Sequence, residues 1–349
     1  MIIASYVYEQ KLPEEHDIGI TTEIGLLLNF TLGAWAALGY QVESLATAVV
    51  VTTLLSIKPT LHSWLQKIDR EVIYAGLKLL IISVILLPLL PDQGYGPWDT
   101  LNPYWIWWMV VLISGLSFLG YILVKYAGED KGTILTSIIG GLASSTAVTI
   151  SLAQFAKQHK KGKPHIYIAG VLIASSIMLI RVFIEVSVVN SQLLTPLWIP
   201  LAVMLVLTIG CVIWLWVRSE DESSTDNPTL DLGNPLQLPT ALKFGALLAV
   251  ILVLATALQE WFGDQGVYLL SLLSGLMDVD AITLSLSKMA QTDITASVAI
   301  LGIVIAVISN TLVKAGLFIF WVGWKRSIEF LWMILIISAG GIVSVLFFV

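Results

Sequence analysis

The sequence predicts an all-α polytopic membrane protein that contains an internal repeat. Of the 349 residues, 57% are hydrophobic and only 12% are charged. Soluble domains carry about 25% charged residues and about 50% apolar ones, so this composition is typical of a chain that lies mostly in lipid. Two long apolar segments, residues 132–156 and 266–290, also share a matched series of small and polar positions. That repetition predicts two structurally equivalent units.

Eleven apolar runs approach the length of a membrane-spanning helix, which takes about 20 residues. They lie at residues 20–38, 45–57, 72–90, 104–125, 132–156, 166–189, 197–217, 242–261, 266–290, 296–321 and 330–349. Tryptophans gather at the ends of these runs, as they do in interfacial belts. One long polar connection, residues 218–239, is rich in Asp, Glu, Ser and Pro, and we interpret it as a flexible solvent loop.

The two repeated segments align without gaps. The identical pairs are Gly132/Gly266, Leu135/Leu269, Ser137/Ser271, Gly141/Gly275, Leu142/Leu276, Ala147/Ala281, Thr149/Thr283, Ser151/Ser285, Leu152/Leu286 and Ala156/Ala290. Compositional bias alone could match apolar residues, but it would rarely match glycines, serines and threonines as well. The alignment therefore indicates a true repeat.

The distribution of Lys and Arg predicts the side of the membrane that each loop faces, because cytoplasmic loops carry an excess of both. The basic loops are 58–70, 125–131, 157–163 and 325–326, and the loops without Lys or Arg are 40–43, 91–102, 190–196 and 263–265. If all eleven runs cross, the basic loops that flank residues 132–156 fall on opposite faces. If residues 132–156 and 266–290 instead dip to mid-bilayer and return, all basic loops become cytoplasmic.

The centres of both segments suit such a turn. Gly140, Gly141 and Gly275 tolerate the dihedral angles of a sharp break, and polar side chains follow them. We therefore predict two re-entrant hairpins, about nine crossings and an inverted-topology repeat, with eleven ordinary transmembrane helices as the alternative. The predicted parts are N-terminal helices at 1–69, repeat 1 at 70–190, repeat 2 at 191–323, and a C-terminal helix at 324–349.

Few ionisable residues lie at the predicted bilayer depth, where burial is costly and such groups usually have a function. Asp278 and Asp280 are the leading candidates for ion binding or proton coupling, because two carboxylates could hold a hard cation, including a metal ion, through oxygen. The side chains expected to complete the site are Thr283, Ser144, Ser145 and Thr146. In the alternative interpretation, the two aspartates form structural ion pairs with Arg181 or Lys314.

Five further intramembrane residues are predicted to form charge pairs or gates: Arg181, Glu185, Asn310, Lys314 and Glu23. Arg181 and Glu185 stand four residues apart and would pair on a regular helix. Asn310 and Lys314 repeat this spacing, and Lys314 is expected to neutralise an aspartate of the second segment. For Glu23, capping of the first span is the alternative. No histidine lies at membrane depth beside a nucleophile or a metal ligand, so we predict no enzymatic activity and no cofactor apart from a bound metal ion.

Several strings resemble a known family. TTEIGLLLNFTLGA, GGLASSTAVTISLA, SGLMDVDAITLSLSKMA and SNTLVKAG look like bacterial membrane proteins that carry the domain of unknown function 4010, which typically follows an MgtC/SapB-type domain. The resemblance covers nearly the whole chain and implies a multi-pass protein of the bacterial inner (plasma) membrane. The additional spans and the Gly–Glu–Arg-type motif of the MgtC-like part are not found, so the chain is expected to represent the second module alone. The magnesium association belongs mainly to that other part.

These observations predict an integral membrane transporter or channel for a small ion, with a midplane site at the repeat interface. The ion would be a divalent cation such as magnesium, or a proton-coupled ion. An anion transporter and a non-transporting regulator of another membrane complex are the alternatives. The expected partners are the lipid bilayer, a small ion, and either a second copy of the chain or an MgtC-like module, with no nucleic acid. The N-terminus is predicted to be cytoplasmic.

Overall fold

The computed structural model describes residues 21–67, 70–127, 133–158, 164–218 and 238–348. These residues are predominantly helical, and they contain no β-strand apart from an isolated bridge between Tyr95 and Leu101. The prediction of an all-α protein is confirmed. The chain divides into two units, Met1–Ile73 and Tyr74–Val349. Residues 1–20 and nearly all of the polar loop at 218–239 lie outside the described residues, as does the side chain of Glu23.

The described helices, numbered in chain order, are α1 Thr21–Ala37, α2 Gln41–Lys67, α3 Arg70–Leu80, α4 Pro103–Ala127, α5 Thr133–Gln158, α6 His165–Val189, α7 Leu194–Arg218, α8 Leu238–Phe262, α9 Asp264–Met277, α10 Asp280–Met289, α11 Ala296–Val322 and α12 Trp324–Phe348. A π-helical turn at Ile81–Leu86 and a 3-10 turn at Leu87–Leu89 continue α3. Short 3-10 turns also occur at Pro97–Asp99 and Ser191–Leu193.

In the first unit, α1 packs against α2. The turn between them uses Gly39, whose φ of 101° favours a residue without a Cβ. The buried Ser44 hydroxyl donates a hydrogen bond to the Leu32 carbonyl oxygen at 2.6 Å. This bond ties the first turn of α2 to the second half of α1.

Within the described residues, eight stretches of helix are long and apolar enough to cross a membrane. They are Val72–Leu89, Pro103–Val124, Thr133–Gln158, His165–Val189, Ser191–Arg218, Thr240–Phe262, Ala296–Val322 and Trp324–Phe348. Helices α9 and α10 have only 14 and 10 residues, and each is too short to cross alone, because a span needs about 20 residues. A multi-pass helical membrane protein is therefore confirmed, while the number of nine crossings stays a prediction.

Helices α6 and α11 form the centre of the second unit. Helix α6 packs against α5, α7 and α10, and α11 packs against α9, α12 and α5. The side chains of both central helices are mostly buried, whereas peripheral helices such as α8 and α12 expose large apolar residues. Exposed apolar surface is favourable where it contacts lipid, and an apolar helix that is buried on all sides belongs in the interior.

Both repeated segments break at the same aligned position. Within α5, Ser144 is the residue with non-helical dihedral angles, at φ −164° and ψ 106°. In the second copy, α9 ends at Met277 and Asp278 is extended, at φ −156° and ψ 145°, before α10 begins at Asp280. Ser144 and Asp278 are partners in the gapless alignment. The backbone therefore repeats the interruption that the sequence repeats.

A glycine of α6 shows that α5 turns back at its break. A Cβ atom built on Gly170 would lie 2.6 Å from Ser137 Oγ and 2.6 Å from Leu152 Cδ1. On a straight helix these two residues would be separated by about 22 Å along the axis. The two halves of α5 therefore lie side by side against α6.

The second copy reproduces this packing in side-chain detail. A Cβ atom built on Gly302 of α11 would lie 2.7 Å from Leu286 Cδ1 and 2.9 Å from Ser271 Oγ. Leu286 and Ser271 are the alignment partners of Leu152 and Ser137. The pair α9 and α10 therefore folds against α11 as the two halves of α5 fold against α6.

The prediction that glycines form the breaks is wrong. The residues expected there were Gly140, Gly141 and Gly275, but all three are helical and buried, and the chain breaks three residues or more beyond them. A Cβ on Gly275 would lie 2.4 Å from a backbone oxygen of α11, and one on Gly141 would lie 3.0 Å from a Cα atom of α6. These glycines permit close helix contact, while the break falls where a polar residue can cap the next helix.

Candidate functional site

Arg181 of α6 contacts both breaks. Its Nη1 donates a hydrogen bond to the Leu142 carbonyl oxygen at 3.1 Å, and its Nη2 forms an ion pair with the Asp280 carboxylate. Leu142 lies two residues before the break in α5, and Asp280 lies two residues after the other break. Arg181 and Asp280 are only 6% and 7% exposed. One buried guanidinium therefore bridges the two interrupted helices.

The residue at each break caps the half-helix that follows it. Ser144 Oγ accepts a hydrogen bond from the Ala147 backbone N–H at 3.2 Å, and Asp278 Oδ1 accepts one from the Asp280 N–H at 3.4 Å. A capping oxygen satisfies one of the donors that a helix start leaves free. The two helix starts also bring partial positive charge to the region.

Asn310 supports the break in the second copy. Its amide Nδ2 donates to the Gly275 carbonyl oxygen at 3.0 Å, and the neighbouring Ser309 hydroxyl donates to Leu272 O at 2.8 Å. The break leaves the Gly275 carbonyl oxygen without an intrahelical donor, and the Asn310 amide replaces that donor. Asn310 therefore serves the backbone, as Arg181 does at Leu142.

Lys314 does not form the ion pair expected with an aspartate. Its side chain is 1% exposed, and its Nζ lies 3.0 Å from Met178 Sδ. Among the described residues, no carboxylate oxygen lies within 4.0 Å of this ammonium. A buried charge with so weak an acceptor is costly for folding, which makes Lys314 a candidate for a functional role.

Glu185 is buried without a hydrogen-bond donor. It is 0% exposed, and its Oε1 lies 3.9 Å from Arg181 Nε, which is too long for a hydrogen bond. Neither of its carboxylate oxygens has a partner among the described residues. The predicted contact of Arg181 with Glu185 therefore exists but is loose, because the terminal nitrogens of the guanidinium are engaged by Asp280 and Leu142.

The remaining predicted ligands divide by exposure. Ser144, Ser145, Thr146 and Asp278 are half-buried, whereas Thr283 is fully buried and its hydroxyl has no partner in the described part of the chain. No group of three or more His, Cys, Asp or Glu side chains among the described residues could hold a metal ion. A cation at the breaks would therefore depend on Asp278, the serine and threonine hydroxyls and backbone oxygens.

An additional cavity lies at one end of the second unit, and sequence reasoning missed it. It has a volume of about 520 Å³ and is lined by the 94–102 loop, α4, α8 and the end of α10. Three carboxylates line it (Asp99, Glu260 and Asp293) together with the Lys288 ammonium, whose Nζ lies 3.9 Å from the centroid of the Trp105 ring. The signal in the sequence was the 91–102 loop, which lacks Lys and Arg and contributes Asp99 to the cavity.

The loop that borders this cavity is strained. Trp98 and Asp99 adopt φ angles of 57° and 53°, in the left-handed region that residues with a Cβ rarely occupy. Such conformations cost about 1–3 kcal/mol each and cluster at functional sites. The strain marks the cavity as a second region of interest beside the two breaks.

Comparison with known proteins identifies the family. The family described as a domain of unknown function (DUF4010) matches residues 111–322, which include both breaks, Arg181 and Lys314. An uncharacterized protein of Aquifex aeolicus (strain VF5) is 32% identical over 213 residues, which cover 61% of this chain and 91% of that protein. No solved structure matches the chain. The resemblance to this family is thus confirmed, while the association with an MgtC/SapB-type domain stays a prediction, and the chain belongs to the DUF4010 family.

Proposed function

We propose that this protein is a membrane transporter or channel for a small ion, with its binding site where the two interrupted helices meet. The observation that supports this most directly is the bridge made by Arg181, which brings both breaks within the span of one side chain. Interrupted helices that meet at mid-bilayer are the usual ion and substrate sites of transporters, because the freed backbone groups and helix ends can bind the ligand.

We also propose that both interrupted segments are re-entrant hairpins in the membrane. Support comes from the ends of α5, which lie at one end of the bundle. Thr133 Cγ2 is 3.3 Å from a Cβ position on Gly170, near the start of α6, and the Ala156 carbonyl oxygen accepts a hydrogen bond from Arg326, near the start of α12. With this topology every basic loop is cytoplasmic, as expected in a bacterial inner membrane.

The opposite ends of the helices agree with this orientation. Asn190, just after α6, donates to the Ser287 carbonyl oxygen near the end of α10, and Gln291 donates to the Val189 carbonyl oxygen. These contacts join two regions that hold no Lys or Arg apart from Lys288. We assign this end of the bundle to the outer face, and the acidic cavity lies there.

The packing favours a repeat frame that differs from 70–190 and 191–323. In the first half of the second unit, α5 packs against α6, and α6 packs against α7. In the second half, α9 and α10 pack against α11, and α11 packs against α12. Helix α7 packs against α12, and α4 packs against α8, as equivalent helices around a pseudo-two-fold axis do. We infer one repeat from α4 to α7 and a second from α8 to α12. Each contains three crossings and one hairpin, so the second would be inverted.

The charges favour a cation as the transported ion. The outer cavity presents three carboxylates against one ammonium, and acidic side chains along an ion path favour cations. At the breaks, Arg181 already neutralises Asp280, which leaves the half-buried Asp278 carboxylate and the hydroxyls of Ser144 and Thr146 for a ligand. Lys314 and the two helix starts instead favour an anion, and this is the second candidate function.

The test is ion flux into proteoliposomes that contain the purified protein. Magnesium, other cations and anions are offered in turn, each with and without a pH gradient. We expect cation flux that is abolished by Asp278→Asn, while the exposed control Asp264→Asn behaves like the wild type. Unchanged cation flux in a folded Asp278→Asn variant would contradict the proposal. Anion flux that is lost in Lys314→Met would establish the second candidate instead.

A further inference from the structure

We propose that a buried row of polar groups between α6 and α10 conducts protons between the Arg181–Asp280 pair and the outer face, with Glu185 as the group that holds the proton. We call Glu185, Thr283, Ser287 and Asn190 the polar row. This inference rests on the proposed transport function and deepens it, because it names the route and the residue of proton coupling.

Two contacts define that register. At mid-helix, Arg181 pairs with Asp280, and at the outer end Asn190 Nδ2 donates to the Ser287 carbonyl oxygen at 3.2 Å. Both helices therefore run in the same direction side by side. Glu185 lies four residues beyond Arg181, and Thr283 lies three residues beyond Asp280, so the two side chains lie at about the same level, since each residue rises about 1.5 Å.

Three residues of the polar row, Glu185, Thr283 and Ser287, carry side-chain oxygens without a hydrogen-bond partner in the described structure. Both Glu185 carboxylate oxygens, Thr283 Oγ1 and Ser287 Oγ are buried and accept or donate no hydrogen bond there. All three residues are 0% exposed. Roughly 90% or more of buried polar groups in proteins are hydrogen-bonded to protein or to ordered water. Four unpartnered oxygens along one helix contact therefore point to internal water that links them.

The neighbouring serine shows that this pattern is specific to one face of α10. Ser285 is also 0% exposed, but its hydroxyl donates to the Ala281 carbonyl oxygen at 2.8 Å. A buried hydroxyl that bonds to its own helix needs no further partner. Thr283 and Ser287, four residues apart on the same face, lack such a bond and are free to bind water.

The charged groups around Glu185 provide the coupling. Arg181 on its own helix and Asp280 and Asp278 from the second copy act on it electrostatically, and Lys314 of α11 acts on the same arginine and aspartates. Helices α5 and α7, which also pack against α6, bring only Lys157 and Arg218 at their far ends.

In the proposed cycle, Glu185 keeps its proton while Arg181 is bonded to Asp280. When a cation bound at Asp278 competes with Arg181 for the neighbouring Asp280 carboxylate, Arg181 is released and turns toward Glu185, whose Oε1 is already 3.9 Å from its Nε. The Glu185 O–H bond then breaks, and the proton leaves through the water of the polar row to the outer face. The exchange keeps each buried charge paired, which avoids the cost of an isolated ion.

The first test does not depend on transport. Infrared spectra of the purified protein should contain the carbonyl band of a protonated buried carboxyl group that is lost in Glu185→Gln and kept in Asp264→Asn. The band should disappear when Mg²⁺ is added at a saturating concentration. Identical spectra of Glu185→Gln and the wild type would overturn the inference.

The second test uses a shape-conserving pair of variants in proteoliposomes that contain a pH-sensitive dye. Thr283→Val removes only an unpartnered hydroxyl, so it should leave the protein folded yet slow proton flux at least about tenfold. The control Ser285→Ala should leave proton flux unchanged. If proton flux through Thr283→Val equals that of the wild type, the polar row does not conduct protons through water, and the inference is overturned. If Glu185→Gln still carries cations but no longer carries protons, the inference is supported. If the wild-type protein moves no ion but shows the Glu185 band, only the transport proposal is contradicted.

Discussion

The two interrupted segments share a backbone but differ in charge. Both break at an aligned residue, both cap the following half-helix with that residue, and both fold against a glycine of a central helix. The first break contains Ser144, Ser145 and Thr146 and no charge, whereas the second contains Asp278 and Asp280. The comparison teaches that the repeat preserves the architecture of the site, while its electrostatics come from one copy.

The central helices α6 and α11 likewise share their packing but differ in the position of their charged residue. Ala174 of α6 lies against Gly141 of the first copy, and Ala306 of α11 lies against Gly275 of the second. In this register Lys314 is equivalent to Val182, the residue that follows Arg181. One residue turns a side chain by about 100° around the helix, which explains why Arg181 reaches both breaks and Lys314 does not.

The largest effect is expected where Gly275 of α9 lies in close contact with α11. In Gly275→Leu the new side chain would collide with α11, because even its Cβ would lie 2.4 Å from Ala306 O. We expect a loss of more than about 3 kcal/mol in the free energy of unfolding, and little monodisperse protein. Gly316→Leu, where a Cβ meets no atom within 4 Å, is the control. Equal thermal stability of both variants would argue against the packing.

The next effect concerns the charge that only the second copy has. Asp280→Ala leaves the Arg181 guanidinium buried without its carboxylate, which should lower the free energy of unfolding by about 3–5 kcal/mol. Replacing both partners in Arg181→Met/Asp280→Leu should restore most of this loss. Chemical denaturation in detergent measures both variants, and a double variant that is no more stable than Asp280→Ala would refute the buried pair.

A smaller effect compares the two caps directly. Ser144→Ala and Asp278→Ala each remove one capping oxygen and should each cost about 1 kcal/mol of folding stability. Ser144→Asp should keep the stability of the first break, because aspartate caps as well as serine does. The thermal midpoints of the three variants decide this, with Ser145→Ala as the matched neighbour. A clear cost at one break only would show that the two caps are not equivalent.

The smallest effect on folding is expected at Lys314. Lys314→Met replaces a buried ammonium that has no described carboxylate partner by an apolar chain of similar length, so the free energy of unfolding should be unchanged or higher. Ion flux through the same variant then reports on function alone. A strong loss of stability would instead show that Lys314 holds the two copies together.

Much of the architecture followed from local properties of the sequence. Hydropathy and low charge predicted a helical membrane protein, because a bilayer constrains the length and composition of each span. The gapless alignment predicted two equivalent interruptions, and Asp278, Asp280 and Arg181 stood out because ionisable groups at that depth are rare. These inferences need only neighbouring residues along the chain.

Tertiary structure decided which of these groups meet. Spacing matched Arg181 with Glu185, and only the alternative interpretation paired it with an aspartate, yet its close ion pair is with Asp280, a residue 99 positions away. The sequence also did not predict the role of the glycines, the isolation of Lys314 or the cavity formed by four distant segments. The physical reason is that side-chain contacts between helices depend on their rotation and register, and these are set by packing across the whole unit.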